Sequence, residues 1–316
     1  MGQVWTIGNL SVNVGEKVKG YLALDGVEEK LPAFLVYGSE PGPTVLVMAG
    51  IHGCEYTSID AALAVAKELD TATVRGRVVV LPIANKASFY ARSIYVHPRD
   101  NKNVNRMFPG KIDGTDAQRL AYGLFETVIR EVDAVIDLHG GDMIEALVPF
   151  TIFHVTDDVA LNDSARTVAS IFGINYAIAS TGQVPGSTYG AAAEIGKIAV
   201  IAEAGQQGIL DSTRSGQLTE GTFNALRYLG ALAGDVIEPP CQVLERFDWY
   251  RADCSGLWYP LVQIGDEVED GQHLGYVADE FGEPVRHYYA TTSGVVLFLV
   301  TSLAMNRSDP LLAIGG

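Results

Sequence analysis

A histidine and a glutamate stand three residues apart in Gly50-Ile51-His52-Gly53-Cys54-Glu55, immediately after the apolar run TVLVMA at residues 44–49. An imidazole nitrogen and a carboxylate oxygen are both good zinc ligands at about 2.0–2.2 Å. A strand-to-helix turn lets two side chains at this spacing address one centre, and flanking glycines allow the turn to be tight. Alone the pair is weak, because a surface histidine beside a helix-start glutamate is spelled the same way. Asp137-Leu138-His139-Gly140-Gly141 adds a second corner, again a histidine followed by glycine at the end of an apolar run. In open α/β sheets ligands gather beyond the carboxyl ends of the strands, so two such corners can converge. His52, Glu55 and His139 would then supply three protein ligands and leave a fourth position for water, the open arrangement of a catalytic zinc. Asp137 leaves the strand on the same face as His139. It is either a partner that orients the imidazole or a strand-end turn acceptor.

Glu203, in Ile201-Ala202-Glu203-Ala204-Gly205, ends a fourth apolar run. A carboxylate there is costly unless solvated or used. Beside an activated water it would take a proton and return it to a leaving amine; read alone, it is a strand-exit residue. The loop DNKNVNRMFPG at residues 100–110 is denser in polar side chains than a connection needs. Its Asn105 and Arg106 offer an amide and a planar fork of donors suited to a carboxylate. Arg92 and Arg99, just upstream, are candidates to stabilise an oxyanion. His97, His154, His273 and His287 read as structural or solvated, while Gln206-Gln207-Gly208 and Tyr288 or Tyr289 are weaker candidates to shape the pocket.

The elements that must position these groups follow from hydrophobic patterning. Residues 3–40 read as strands and turns. Continuous apolar runs at 44–49, 78–83, 134–138 and 198–202 read as strands buried on both faces. Helical segments near 59–69, 116–131, 159–172 and 219–233 lie between and after them, which argues for an α/β sheet covered on both sides. Glu238-Pro239-Pro240 then breaks the chain, and turn dipeptides such as Gly265-Asp266 and Asp270-Gly271 punctuate short strands. Two domains are expected, 1–238 carrying the site and 239–316 small and all-β.

With 48% apolar residues among 316, the chain can bury a large core, which excludes a disordered protein. Its 22 Lys+Arg against 38 Asp+Glu leave a net charge of −16, unsuited to nucleic acid or anionic membrane surfaces. Cys54, Cys241 and Cys254 cannot all pair and form no C-x-x-C, the usage of a reducing compartment. The start MGQVWTIGNL has neither the basic nor the apolar region of a secretory signal, so a cytoplasmic protein is expected; a homo-oligomer is compatible with the sequence.

The ordered set H-G-x-E, N-x-N-R-x-F-P-G, D-L-H-G and E-x-G resembles the succinylglutamate desuccinylase/aspartoacylase family, relatives of the zinc carboxypeptidases. The resemblance spans most of the chain. It implies a zinc-carboxypeptidase-like mixed sheet flanked by helices, with a smaller all-β C-terminal domain. It also implies one zinc ion on His52, Glu55 and His139, a general base at Glu203, and substrate-carboxylate contacts from Asn105 and Arg106. The family polarises the scissile carbonyl with an arginine upstream of that pair, for which Arg92 is the first choice and Arg99 the second. Aspartoacylases carry another substrate-binding arginine shortly before the base; here Ala193 and Glu194 stand there, and no arginine occurs between Arg166 and Glu203. That departure argues against an acylated dicarboxylic amino acid. Residues 255–300 are similar to the lipoyl/biotinyl barrel-sandwich fold but lack a Met-Lys-Met-like carrier signature.

The expected activity is zinc-dependent hydrolysis of the amide of a small, carboxylate-bearing N-acylated amino acid or related amine. A zinc carboxypeptidase acting on peptides would use the same four residues. A non-catalytic metal or small-ligand binding module would have no need of Glu203.

Overall fold

In a computed structural model, which describes residues 3–182 and 184–316, the chain opens with β1 (Val4–Ile7), β2 (Leu10–Asn13), β3 (Lys17–Leu22) and β4 (Leu31–Tyr37). The alternating part follows: β5 (Glu40–Ala49), α1 (Tyr56–Glu68), β6 (Arg75–Leu81), α2 (Lys86–Ala91), α3 (Asp116–Thr127) and β7 (Ala134–His139). Next come β8 (Glu145–Leu147), β9 (Phe150–His154), α4 (Val159–Ser170), β10 (Tyr176–Ser180), α5 (Thr188–Glu194), β11 (Ile198–Glu203) and α6 (Ser212–Tyr228). The remainder is strand and turn: β12 (Gln242–Leu244), β13 (Phe247–Arg251), β14 (Gly256–Pro260), β15 (Glu267–Val268), β16 (His273–Ala278), β17 (Pro284–Tyr289), β18 (Gly294–Val300), β19 (Ala304–Met305) and β20 (Pro310–Gly315).

Nine strands form one mixed sheet in the order β12-β10-β9-β11-β7-β5-β6-β4-β3. Its centre, β11-β7-β5-β6, is parallel, whereas β9 runs antiparallel to β11, and β4 antiparallel to β6. The continuous apolar run in β5 has a direct physical cause. Val45 and Val47 enter the core under α1, α4 and α6, while Leu46 and Met48 enter the core on the opposite face, which contains α3 and much of the C-terminal region. A strand covered on both sides has no solvent face on which to place a polar residue.

The expected α/β sheet with helices on both faces and a C-terminal all-β region is therefore present. The expected strands at 78–83 and 198–202 appear as β6 and β11, and α6 begins earlier than its apolar periodicity indicates. Asp211 caps α6, its carboxylate accepting from the backbone N–H groups of Thr213 and Arg214, and the added first turn is polar.

The C-terminal strands make two antiparallel arrangements, β13-β20-β18-β15 and β17-β16-β14-β19. Two short strands cross between the parts. β12 adds in parallel to β10 at the edge of the large sheet, and β8, leaving the end of β7, pairs with β18. Among the described residues no helix is long and apolar enough to cross a membrane.

Candidate active site

Three adjacent parallel strands, β5, β7 and β11, end on one side of the sheet, and each delivers a polar group there. After β5 the chain turns at Gly50, whose φ of 69° lies in the left-handed region that suits glycine. Gly53 follows, where a β-carbon would stand 2.1 Å from the backbone nitrogen of Phe89. Only glycine lets this turn lie against α2. His52 and Glu55 are thereby carried to the end of β7, where His139 emerges.

One donor atom from each of His52, Glu55 and His139 lies within 4.8 Å of the others; among the described residues this is the group of three such side chains that could hold a metal ion. Glu55 bridges the imidazoles, with Oε1 2.7 Å from His52 Nδ1 and Oε2 3.0 Å from His139 Nδ1. Each ring is braced through its other nitrogen. His52 Nε2 is 3.0 Å from Asn103 Oδ1, and His139 Nε2 is 3.0 Å from Asp137 Oδ2. Such outer contacts fix the tautomer and orientation of metal-binding histidines. Burial alone would raise the Glu55 carboxyl, but the two imidazoles outweigh it and hold it down at about 2. Burial would lower His139, yet Asp137 and Glu55 raise it well above the usual range. The same surrounding negative charge, which raises both imidazoles against burial, favours a divalent cation between them. The donor set, two imidazole nitrogens and a carboxylate oxygen, fits zinc.

Asp137 is fully buried; its Oδ2 also accepts from the Thr188 hydroxyl, and its Oδ1 has no protein partner among the described residues. Thr188 ties in Asn105 as well, because its backbone N–H donates to Asn105 Oδ1 at 2.8 Å. The Asn105 amide nitrogen then stands 3.4 Å from His139 Nε2.

The cluster opens into a cavity of about 580 Å³ lined by Asn105, Arg106, Glu145 and Glu203 as well as by the two histidines and Glu55. Glu203 lies opposite His139 in the parallel register of β11 and β7. Enclosure by the protein pushes its carboxyl well up; His139 opposes this, and the neighbouring acids Glu55, Glu145 and Asp137 reinforce it. Arg106 reaches the cavity from the polar loop and donates Nη1 to the carbonyl oxygen of Asn105 at 2.6 Å. The far wall comes from the C-terminal strands: Phe247, Trp249 and Arg251 of β13, Phe298 of β18 and Pro310 of β20.

Residues 41–229 match the succinylglutamate desuccinylase/aspartoacylase catalytic domain. The chain belongs to this family. It is 31% identical to the N-alpha-acetyl-L-2,4-diaminobutyric acid deacetylase of Halomonas elongata, over 90% of this chain and 85% of that protein. Among solved structures it is similar to the product-bound ectoine utilization protein EutE (DoeB) of Ruegeria pomeroyi. That match has a TM-score of 0.85 and 26% identity, covering 95% of this chain and 94% of the other. A succinylglutamate desuccinylase/aspartoacylase of Rhodobacter sphaeroides shares the fold, with a TM-score of 0.84 and 22% identity over 98% of this chain and 99% of the other. The chain is thus a member of a deacylase family with the mixed α/β fold.

Within this family member the expected site residues divide. His52, Glu55, His139, Asn105, Arg106 and Glu203 all border one cavity. Arg92 does not. It caps the C-terminus of the short α2 in the left-handed conformation and is exposed, and it is absent from the cavity wall. Arg99 is exposed too and lies 3.3 Å from Asp116. The second guanidinium on the cavity wall is that of Arg251. Tyr288 packs on Trp258 and accepts from the backbone N–H of Asp253, while Tyr289 stacks on His273; neither borders the cavity. Gln206 supports β8, its Oε1 accepting from the Leu147 N–H at 3.2 Å. Asn103, Glu145 and Arg251 border the cavity too and were not among the expected site residues. Asn103 had a signal, the polar density of its loop; Glu145 and Arg251 had none, because only the β8–β18 and β13–β20 pairings bring them to the cavity.

Proposed function

We propose that the protein is a zinc-dependent deacylase that hydrolyses the amide bond of a small N-acylated amino acid. In this reading His52, Glu55 and His139 would hold one zinc ion, which would supply the Lewis acidity that makes water nucleophilic at neutral pH. Asp137 and Asn103 keep the two imidazoles turned toward it. Glu203 receives the proton of the attacking water and returns it to the departing amine, work for which a raised carboxyl is suited. Arg106 and Asn105 hold the substrate carboxylate. Arg251, the other guanidinium bordering the cavity, stabilises the developing oxyanion, a part expected from the sequence for Arg92 or Arg99.

The observation that carries this reading is the pairing of an open two-histidine, one-carboxylate cluster with a carboxyl group opposite one of its ligands. A non-catalytic metal module has no use for Glu203 in that place. A peptidase is disfavoured by the wall that 239–316, proposed here as a second domain, contributes to the cavity.

The test is metal analysis of the purified protein together with a panel of N-acyl amino acids, among them the substrate in the name of the Halomonas elongata relative. About one zinc per chain and release of the free amino acid are expected. Bound metal without turnover on any amide or ester of the panel would remove the enzymatic reading.

A further inference from the structure

We propose that Glu145 determines specificity for a second, cationic amine on the amino-acid half of the substrate, so that the cavity selects N-acylated diamino acids over neutral analogues. The proposal deepens the deacylase reading and rests on it. The carboxyl borders the cavity, yet nothing in the proposed reaction uses it. Its Oε2 accepts from the backbone N–H of Asp142 at 3.0 Å, and among the described residues no Lys, Arg or His nitrogen pairs with either oxygen. The backbone at this point is fixed, since the Glu145 carbonyl oxygen accepts from Gln207 N–H at 2.8 Å and β8 is paired with β18. The side chain therefore cannot swing away to bulk water without breaking its contact with Asp142.

Charge accounting inside the cavity singles this group out. Glu55 serves the two imidazoles, Glu203 stands opposite His139, and Arg106 is available to a carboxylate. Arg106 donates to the carbonyl oxygen of Asn105 and Arg251 to that of Ser308, so among the described residues neither guanidinium of the cavity wall forms an ion pair with Glu145. An enclosed carboxylate in that condition is costly unless it takes a proton or meets a cation. Its carboxyl is pushed up to about 7, by burial first and then by the charge of Glu55. A ligand ammonium of an α,γ- or α,ω-diamino acid would supply the missing partner, while the α-carboxylate meets Arg106. The same cavity wall carries the apolar side chains of Leu147, Phe150 and Phe298, against which the carbon chain of a diamino acid can pack.

Glu145→Gln is the informative variant, because the glutamine carbonyl can still accept from Asp142 and only the charge is lost. The zinc-loaded wild type and E145Q are compared on Nα-acetyl-L-2,4-diaminobutyrate and N-acetyl-L-norvaline, which match in length and differ in the ammonium. The ratio of their kcat/KM values is expected to favour the cationic substrate. In E145Q it should fall roughly ten- to a hundredfold, mainly through KM, as for one lost charge-assisted hydrogen bond. Calorimetric binding of the free L-2,4-diaminobutyrate and L-norvaline should show the same loss of discrimination. A ratio unaltered by the substitution, or equal losses on both compounds, overturns the proposal and leaves the deacylase reading standing. Glu145-dependent preference in binding with no hydrolysis of either amide overturns the deacylase reading instead. Neither hydrolysis nor discrimination overturns both.

Discussion

Glu203 on β11 and His139 on β7 are register partners on adjacent parallel strands, so a carboxyl group and an imidazole leave the sheet side by side. The backbone ladder fixes this relationship, since both residues end strands at the centre of the sheet. It places the candidate base next to a candidate metal ligand with the rigidity of the sheet centre. Replacing Glu203 with Gln should leave zinc stoichiometry intact and lower kcat by about 10²–10⁴-fold, the usual weight of general acid–base catalysis. Metal analysis and steady-state kinetics on the same preparation check both halves. A variant that turns over like wild type would take Glu203 out of the reaction.

The pH dependence has a definite sign. A base must be deprotonated to work, and Glu203 is pushed well above the ordinary carboxylate range by burial, with Glu145 among the anions adding to the effect. Activity should therefore rise with pH through an acid limb governed by this group. Removing the negative charge of a neighbour eases its ionisation. In Glu145→Gln the acid limb of kcat should move to lower pH, read from rate profiles on a neutral substrate. A shift to higher pH would contradict the assignment.

Asp137 makes a separate claim, on metal affinity. It is fully buried, and its Oδ2 braces His139 Nε2 at 3.0 Å. Asp137→Asn should weaken zinc binding by about 10–100-fold, the common cost of losing such a partner. Competition with a chromogenic chelator measures it. Because metal bound only to the folded state adds stability, chelation should also lower the Tm, by an amount equivalent to about 4 kcal/mol when zinc had stood a thousandfold over its Kd.

How far the sequence reached depended on how local each signal was. The corners at His52-Gly53 and His139-Gly140 were legible because the apolar runs before them mark strands buried on both faces, and strand ends of that type face one side. Glu203 was legible for the same reason. Arg92 stands outside the cavity wall: polar spacing upstream of Asn105 carries no information about which way a short helix ends, and α2 finishes with this side chain exposed. Glu145 and Arg251 depend on β8 joining β18 and on β13 joining β20, pairings between segments far apart in the chain. The strand β12, placed by sequence in the second domain, joins the large sheet for a similar reason: three residues carry too little pattern to declare their partner.

The arginines supply the last test, because the sequence and the structure favour different ones. Arg106 and Arg251 border the cavity; Arg92 stands outside it. If Arg106 holds the substrate carboxylate, Arg106→Ala should raise KM for carboxylate-bearing substrates at least tenfold, and much less for the corresponding amides, since one charged hydrogen bond is worth roughly 1.5–3 kcal/mol. If Arg251 stabilises the oxyanion, Arg251→Ala should lower kcat with little change in KM, by about 10²-fold or more. Arg92→Ala should stay within about twofold on both constants, as expected for a surface side chain away from special features. Measuring the three variants on one carboxylate and amide pair separates the roles. A large kcat loss in Arg92→Ala with Arg251→Ala near wild type would return the oxyanion role to the residue the sequence first favoured, and would require the loop after α2 to rearrange when substrate binds.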